Sequence, residues 1–503
     1  MLLGVSAPTL SRPRPSRRAL DKSSGTRGGW GGIRTRTWER VGALVVSVCA
    51  LGGFLLDPTY PNNDSVYSLL WGRELLHLES LSFEAYRAPT EHPLAIAVGA
   101  LLSLFGAGAD RLFVALAVAT FVALVFGLYA LGRTAFTPLV GLVAAVLVVT
   151  RFDFPFLAAR GYIDPGYLAL IVWAAVLELR RPRRGYAVLF LLMLAAMLRP
   201  EAWVLSGLYV LWAGWHTAWR RRIAFAAMAA AGPVIWALTD FLVTGNALYS
   251  FTGTSELADE LGRNKGVGAV PAATWTFLID LAKFPVVAGA IVGLLLALFL
   301  TPRRLVMPVV LFACGVGTFA MVGLGGLSVI SRYLLVPSLM VMVLCGVAVG
   351  GWTMLREGSR IRTIWAAGAI ALVLFGIVFT ATRVSLARLD SELSFRGDAH
   401  NAFMALIDTP AFRRGLECGP VYTPNHKLVP DTRWYLDLPV DKVIARSSID
   451  TVPQKGVVIL VHGRQALFKQ ALVTEFDDPA DSLPPPGFSR VAVSEYYAAY
   501  VRC

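Results

Sequence analysis

From residue 41 onward the chain alternates long apolar runs with short polar joints. Most of the runs are roughly 17–24 residues long, the length at which a helix crosses a bilayer. They fall at 41–56, 111–131, 138–155, 164–180, 185–198, 203–218, 223–243, 277–300, 304–324, 333–352 and 363–382. One polar stretch is out of proportion, Asp57–Pro93, "DPTYPNNDSVYSLLWGRELLHLESLSFEAYRAPTEHP". Long loops between packed helices are functional or disordered. This one has amphipathic spacing, aromatic residues and few turn formers, which predicts an ordered, working loop. Directly after it, "HPLAIAVGALLSLFG" at 92–106 has an apolar run of only about thirteen residues. That suits an interfacial or re-entrant helix rather than a span.

The basic residues set the sidedness. Arg-rich joints occur at Arg180–Arg184, Arg220–Arg222, Arg303–Arg304 and Arg356–Arg362. All four fall on the cytoplasmic side if 92–106 does not cross and the other runs do. If 92–106 crossed as well, all four would face outward. The pattern therefore predicts about eleven spans with the amino terminus inside and the carboxyl terminus outside. Loop 57–93, the joints holding Arg160–Asp164 and Arg199–Glu201, and the longer segment Thr244–Thr276 then share the outer face.

Composition agrees with a polytopic α-helical membrane protein. Of 503 residues, 56% are hydrophobic and 16% charged, against about 25% charged in soluble domains. The net charge of +13 would point to nucleic acid in a soluble protein. Here most of the Arg sits in the joints, so nucleic acid is not a partner and membrane lipids are. Residues 1–40 are basic and rich in Gly, Ser and Pro, and predict a disordered cytoplasmic tail ahead of an uncleaved signal anchor. Cys49, Cys314 and Cys345 lie in apolar runs, and no Cys/His cluster has metal-ligand spacing. No metal or other cofactor is indicated, although a divalent cation is compatible with the chain.

Past residue 383 the composition changes. Pro and Asp turns separate short β-branched runs such as "GVVILV" (456–461) and "RVAV" (490–493), predicting a small extracytoplasmic α/β domain over 383–503. Cys418 in "ECGPVYTP" and Cys503 ending "EYYAAYVRC" fall in the expected first and last strands. They are either bridged in an oxidising outer compartment or free thiols, since spacing does not fix Cβ geometry.

The ionisable residues at the outer boundary are the candidates for chemistry. Asp64, in "YPNNDSVY", either caps a helix, as do Asn62, Asn63 and Ser65, or acts as a general base. Asp164, in "YIDP", is either an N-cap before Pro165 or a second acid. Glu91-His92-Pro93 is either a pre-helix turn or a contact to a phosphate, with His92 partly charged near neutral pH. Arg199 either pairs with Glu201 or snorkels to headgroups, or holds a phosphate. Arg332 has the same two readings.

An acid in a long first outer loop, Glu91-His92-Pro93 closing it, "IDP" opening a span, Arg199 before a later span and "RYLLVP" near the end together resemble the GT-C membrane glycosyltransferases. The protein O-mannosyltransferase and lipid A aminoarabinose transferase branch looks nearest. The resemblance spreads over about residues 41–350. It implies a GT-C-like transmembrane domain over 41–382, a polyprenyl-phosphate-linked sugar donor, chemistry at the outer face of a bacterial plasma membrane, and inversion at the anomeric carbon. It implies Asp64 and Asp164 as the catalytic acids. Glu91, His92, Arg199, and more loosely Arg263, Arg332 and Tyr333, would lie at the donor phosphate or substrate. The chain departs from the pattern twice, with Ser65 after Asp64 where many relatives have Glu, and His92 where they have Lys. The acceptor, whether glycan, lipid or protein, is left open. The competing class is a transporter or flippase for a lipid-linked or envelope substrate. Against it, the chain shows no internal repeat, and its charges gather at one face. A catalytically silent assembly subunit is the third reading.

Overall fold

The computed structural model describes residues 31–503 except 58, 261, 384–385, 464–465 and 467–482. Most of the expected basic tail, residues 1–30, lies outside the described residues. The chain forms two units, Met1–Cys49 and Ala50–Cys503. Within the first, helix begins at Gly31 and not at 41. The site is built entirely within the second unit.

Among the described residues, six helices are long and apolar enough to cross a membrane, or eight if two bent pairs each count as one span. Against the eleven runs expected, the helices Asp164–Arg180, Tyr186–Ala196 and Glu201–Gly214 stand near three more, but the last two are shorter than a full crossing. Tyr186–Ala196 has 11 residues, and at about 1.5 Å per residue it reaches only about half the thickness of the hydrocarbon layer. The run at 277–300 is not one helix. Val267–Ala282 and Phe284–Leu300 meet at 104°, with Lys283 at φ +73°. Pro285 explains the break, because a proline in the first turn of Phe284–Leu300 has no N–H to bond a carbonyl four residues back and its ring would clash with that carbonyl, so it opens a helix and does not continue one. Pro155 sits similarly where Pro138–Thr150 and Asp153–Ala159 bend by 63°. Apolar run length alone conceals such breaks.

The helix Leu335–Gly350 forms the centre of the bundle, with nearly every residue buried. Loop 57–93 is ordered, as expected. It carries the helix Asn63–Leu76, and the helix Pro93–Ser103 that follows has only 11 residues. These two helices touch backbone to backbone. A Cβ on Gly72 would sit 2.3 Å from the Ala100 nitrogen, and one on Gly99 would sit 2.3 Å from the Ser68 carbonyl. Two glycines thus press the helix bearing Asp64 onto the short apolar helix behind it.

The carboxyl-terminal domain is α/β, as expected. Its strands β1 (Val421–Thr423), β2 (Val443–Ala445), β3 (Gly456–Val461), β4 (Ser489–Val493) and β5 (Tyr497–Arg502) form one sheet in the order β2-β1-β3-β5-β4. The β1–β2 and β1–β3 pairs are parallel, whereas β5 is antiparallel to both β3 and β4. Strand β3 is wholly buried, which is why its sequence is an unbroken apolar run. Cys418 and Cys503 are joined in a disulfide with Cα atoms 4.9 Å apart. The two cysteines do not sit on paired strands, because β3 separates β1 from β5. Cys418 precedes β1 and Cys503 follows β5, and the two meet at the sheet's end.

This domain docks on loop 57–93. Arg433 pairs with Glu74 at 2.6 Å, with side chains 3% and 8% exposed, and also donates to the Ser82 hydroxyl at 2.9 Å. Arg73 pairs with Asp437 at 2.7 Å. The Tyr86 hydroxyl donates to the Ser447 carbonyl at 3.0 Å. The domain therefore braces the loop, and it also reaches the bundle, where the Tyr435 hydroxyl donates to Asp110 at 2.8 Å.

Candidate active site

Asp64 is in the first turn of the helix Asn63–Leu76, but it is not the cap. Asn62 is, accepting from the Asp64 backbone N–H at 2.8 Å. The Asn62 amide also donates to the Ser65 hydroxyl at 2.8 Å and to the Arg160 carbonyl at 3.1 Å. Ser65 donates to the Gly161 carbonyl at 2.6 Å. These bonds fasten the helix start to the segment that leads into Asp164. Ser65 thus serves as a tether, and the Asp64 side chain is not used to cap the helix.

Asp164 lies in the first turn of Asp164–Arg180, and its side chain caps nothing. Ile163 occupies the cap position without a side-chain bond. The Asp164 carboxylate is fully buried and accepts hydrogen bonds from two guanidiniums, Arg199 on one oxygen and Arg332 on the other at 3.0 Å. Arg332 also donates to Asp64 at 3.1 Å. One planar guanidinium therefore binds both candidate acids, although a hundred positions separate them in sequence. Arg199 completes the chain by donating to Glu201 at 3.2 Å. The order is Asp64–Arg332–Asp164–Arg199–Glu201.

Burial varies sharply along this chain. The side chains of Asp64 and Arg332 are 30% and 28% exposed, whereas Asp164 is 0% and Arg199 7% exposed. The open end is the Asp64–Arg332 pair. The ring of Tyr162 lies 4.9 Å from the Arg332 guanidinium, and Tyr333 lies 6.0 Å from that of Arg199. Three carboxylates face two guanidiniums, so the cluster has no surplus positive charge.

Three expected site residues are placed differently. His92 does lie against Arg199 and Arg332, but not as a partly charged donor. Burial foremost, then the two adjacent guanidiniums, lower its pKa to about 3, so it is neutral. Its ring meets Trp236 edge-on at 5.6 Å, and Nδ1 is buried without a partner. Glu91 turns away from the cations. Its carboxyl meets the Ser250 hydroxyl at 2.7 Å, which also lies 2.9 Å from Asp240. A hydroxyl has one proton to give, so two charged carboxylates cannot both be satisfied there. Burial, its largest cause, pushes the Glu91 pKa up to about 7, and a proton held by Glu91 resolves the conflict. Arg263 is exposed in the 262–266 loop and forms no ion pair among the described residues. It is not part of the cluster, because the loop carrying it points its side chain into solvent.

Sequence reasoning missed the Asp240–Ser250–Glu91 junction. The signal was available, since Asp240 is the lone acid of an otherwise apolar run, and such residues are rarely idle.

Beside the cluster is an apolar cavity of about 340 Å³. Leu94, Phe113, Leu170 and Trp173 line it, and Tyr162 and Leu198 bound it next to Arg332 and Arg199. Among the described residues, no group of three or more His, Cys, Asp or Glu side chains is arranged to hold a metal ion.

No protein-family model matches the sequence, and no curated protein matches it. Among solved structures, the chain is similar to the oligosaccharyltransferase of Archaeoglobus fulgidus in its apo form, with 12% identity and a TM-score of 0.47 over 81% of this chain. The alignment spans 64% of that protein's length. The same archaeal enzyme, tethered by a disulfide to an acceptor peptide containing the NVT sequon, aligns over 90% of this chain and 74% of its own, with 12% identity and a TM-score of 0.49.

Proposed function

We propose that the protein is a GT-C-type glycosyltransferase that moves a sugar from a polyprenyl-phosphate donor to an acceptor hydroxyl at the outer face of the plasma membrane. The observation that carries this reading is the arginine-bridged pair Asp64–Arg332–Asp164 standing near an apolar cavity of about 340 Å³ whose lining includes Tyr162 and Leu198. A donor of this class has the same two parts, an isoprenoid chain and an anionic head.

The chemistry follows from the exposure gradient. The isoprenoid chain lies in the apolar cavity and the phosphate reaches the open member of the cluster, Arg332. Because the cluster has no surplus positive charge, the phosphate gains Arg332 only as Asp64 lets it go. Asp64 is thereby released as a carboxylate beside the anomeric carbon. The acceptor oxygen attacks that carbon, the bond from carbon to phosphate oxygen breaks, and the acceptor proton passes to Asp64. Attack opposite the leaving phosphate inverts the centre. Arg332 faces growing negative charge on the leaving phosphate, so its interaction strengthens toward the transition state. Arg199 is buried and already paired with both Asp164 and Glu201. It acts as a positioning residue, holding Asp164, which in turn aims Arg332. The carboxyl-terminal domain lies on the same outer side and braces the catalytic loop.

The test is mass spectrometry of lipid co-purifying with the full chain from a bacterial membrane. A polyprenyl-phosphate sugar retained by the wild type and depleted in Arg332→Ala supports the assignment. Retention of that lipid by Arg332→Ala at the wild-type level contradicts it.

A further inference from the structure

The carboxyl-terminal domain grips the helix Asn63–Leu76 at both ends. At the far end, Arg433 and Asp437 hold Glu74 and Arg73, about 15 Å along the helix from Asp64. At the near end the contact is a stack of rings. His400, on the helix Leu386–Ile407, lies flat on Tyr60, with centroids 4.7 Å and planes 14° apart. The same imidazole meets Tyr435 edge-on at 5.1 Å, and Tyr435 is fixed by its bond to Asp110. Tyr60 also carries the Arg160 guanidinium over its ring, 3.9 Å from the centroid.

Arg160 links this stack to the site. It is 7% exposed. Among the described residues it forms no ion pair, and its Nη1 is buried without a hydrogen-bond partner. The face of Tyr60 holds it, by an attraction that strengthens with desolvation, so its place depends on where that ring lies. Its carbonyl accepts from the Asn62 backbone N–H at 2.8 Å and from the Asn62 amide at 3.1 Å. Asn62 in turn accepts from the Asp64 N–H at 2.8 Å. A path of direct contacts therefore runs from His400 through Tyr60, Arg160 and Asn62 to Asp64. Asp64 meets Arg332 at 3.1 Å, beyond the usual charge-assisted length of about 2.7–2.9 Å. A small shift of the helix start is enough to loosen that bond.

We infer that His400 is a positioning residue for sugar transfer: through its ring on Tyr60, the carboxyl-terminal domain sets Asp64 against Arg332 and the acceptor. The inference rests on the transferase reading above. His400 itself touches no member of the Asp64–Arg332–Asp164 chain. What the contact uses is a flat ring, so His400→Phe keeps it and His400→Ala removes it. The Glu74 end of the helix has no such route to Asp64, because Arg433 acts on the last turn and not on the cap.

The experiment uses the full chain in lipid nanodiscs as wild type, His400→Ala, His400→Phe, Asp64→Asn and the double variant Asp64→Asn with His400→Ala. Hydrogen exchange over 62–66 reads the cap. Transfer from a polyprenyl-phosphate sugar, with kcat and donor KM separated, reads the chemistry. In His400→Ala the cap should exchange faster and kcat should fall about 10–100-fold, part of what a positioned general base supplies. Donor KM should stay within about two-fold, and His400→Phe should restore both kcat and exchange. In the Asp64→Asn background, His400→Ala should cost no further kcat, because the group it positions is gone. Should His400→Ala fail to fold, His400→Leu fills the space without a flat ring and takes its place. The inference is overturned if exchange over 62–66 is unchanged, if His400→Phe fails to restore kcat, or if the loss in kcat is as large in Asp64→Asn as in the wild type. Wild-type transfer with kcat unchanged in His400→Ala rejects this inference and keeps the transferase reading. No transfer by the wild type, with exchange still raised in His400→Ala, rejects the transferase reading and the role of His400 with it.

Discussion

Asp64 and Asp164 share one guanidinium but differ in burial, and so their neutralisation should cost very different amounts. Asp164 is 0% exposed and is held by both Arg199 and Arg332. In Asp164→Asn, two guanidiniums lose their common carboxylate inside the protein. Arg199 keeps only Glu201, and Arg332 keeps only the half-open Asp64. Removing one member of a buried ion pair costs about 3–5 kcal/mol, since the surviving charge stays desolvated. Asp64 is 30% exposed and makes one contact at 3.1 Å. Water replaces much of what Asp64→Asn removes, and the amide oxygen still accepts from Arg332, so the cost is about 0.2–1 kcal/mol. Unfolding in SDS titrations of the protein in mixed micelles, followed by tryptophan fluorescence, measures both. The expected order is a large loss of stability for Asp164→Asn and a small one for Asp64→Asn. Equal losses, or an Asp164→Asn variant within about 1 kcal/mol of the wild type, would refute the division into a buried clamp and an open base.

Other expectations concern the loop and its brace. Arg433→Met leaves Glu74 buried without its partner, and it should destabilise the contact of the tail with the loop by about 3–5 kcal/mol, read as faster hydrogen exchange over 63–91. Unchanged exchange there would contradict the docking. Glu91 has a folded pKa of about 7 against an ordinary 4.5, so its stabilising protonation is fully present below about 4.5 and lost as pH rises through about 7. The wild-type thermal midpoint should therefore fall between pH 5 and 8 by more than that of Glu91→Gln, and parallel curves would exclude the buried proton. Reducing Cys418–Cys503, which closes a sequence separation of 85, should lower the stability of the tail by about 2–4 kcal/mol. Two free thiols in protein isolated without reductant would remove the bridge.

The legible and illegible features divide along physical lines. Apolar periodicity marks where helices are, so the helical bundle, the ordered loop and the short helix at 93–103 could be read directly. It does not show bends, and Pro285 and Pro155 are the local signals that the run lengths hide. Asp64, Asp164, Arg199 and Arg332 were legible as charges stranded at the ends of apolar runs, where burial demands a partner. Which partner each takes depends on packing. The choice between cap and side-chain ligand for Asp64 is decided by Asn62 and by the Ser65–Gly161 bond, a contact between loops 96 positions apart. Glu91 and His92 are neighbours in sequence, and only the turn into the helix at Pro93 sends one toward Ser250 and the other toward the arginines. The disulfide pairing could be anticipated from location, but the sheet order that brings Cys418 to Cys503 could not.

The central claim is that Asp64 removes the acceptor proton during sugar transfer. The direct measurement is loss of a radiolabelled sugar from a polyprenyl-phosphate donor into the envelope acceptor fraction, catalysed by purified wild type and by Asp64→Asn of matched stability. The account predicts transfer by the wild type and a loss of about 10²–10⁴-fold in Asp64→Asn, the usual contribution of a general base, with donor still bound. Transfer by Asp64→Asn at the wild-type rate would contradict it.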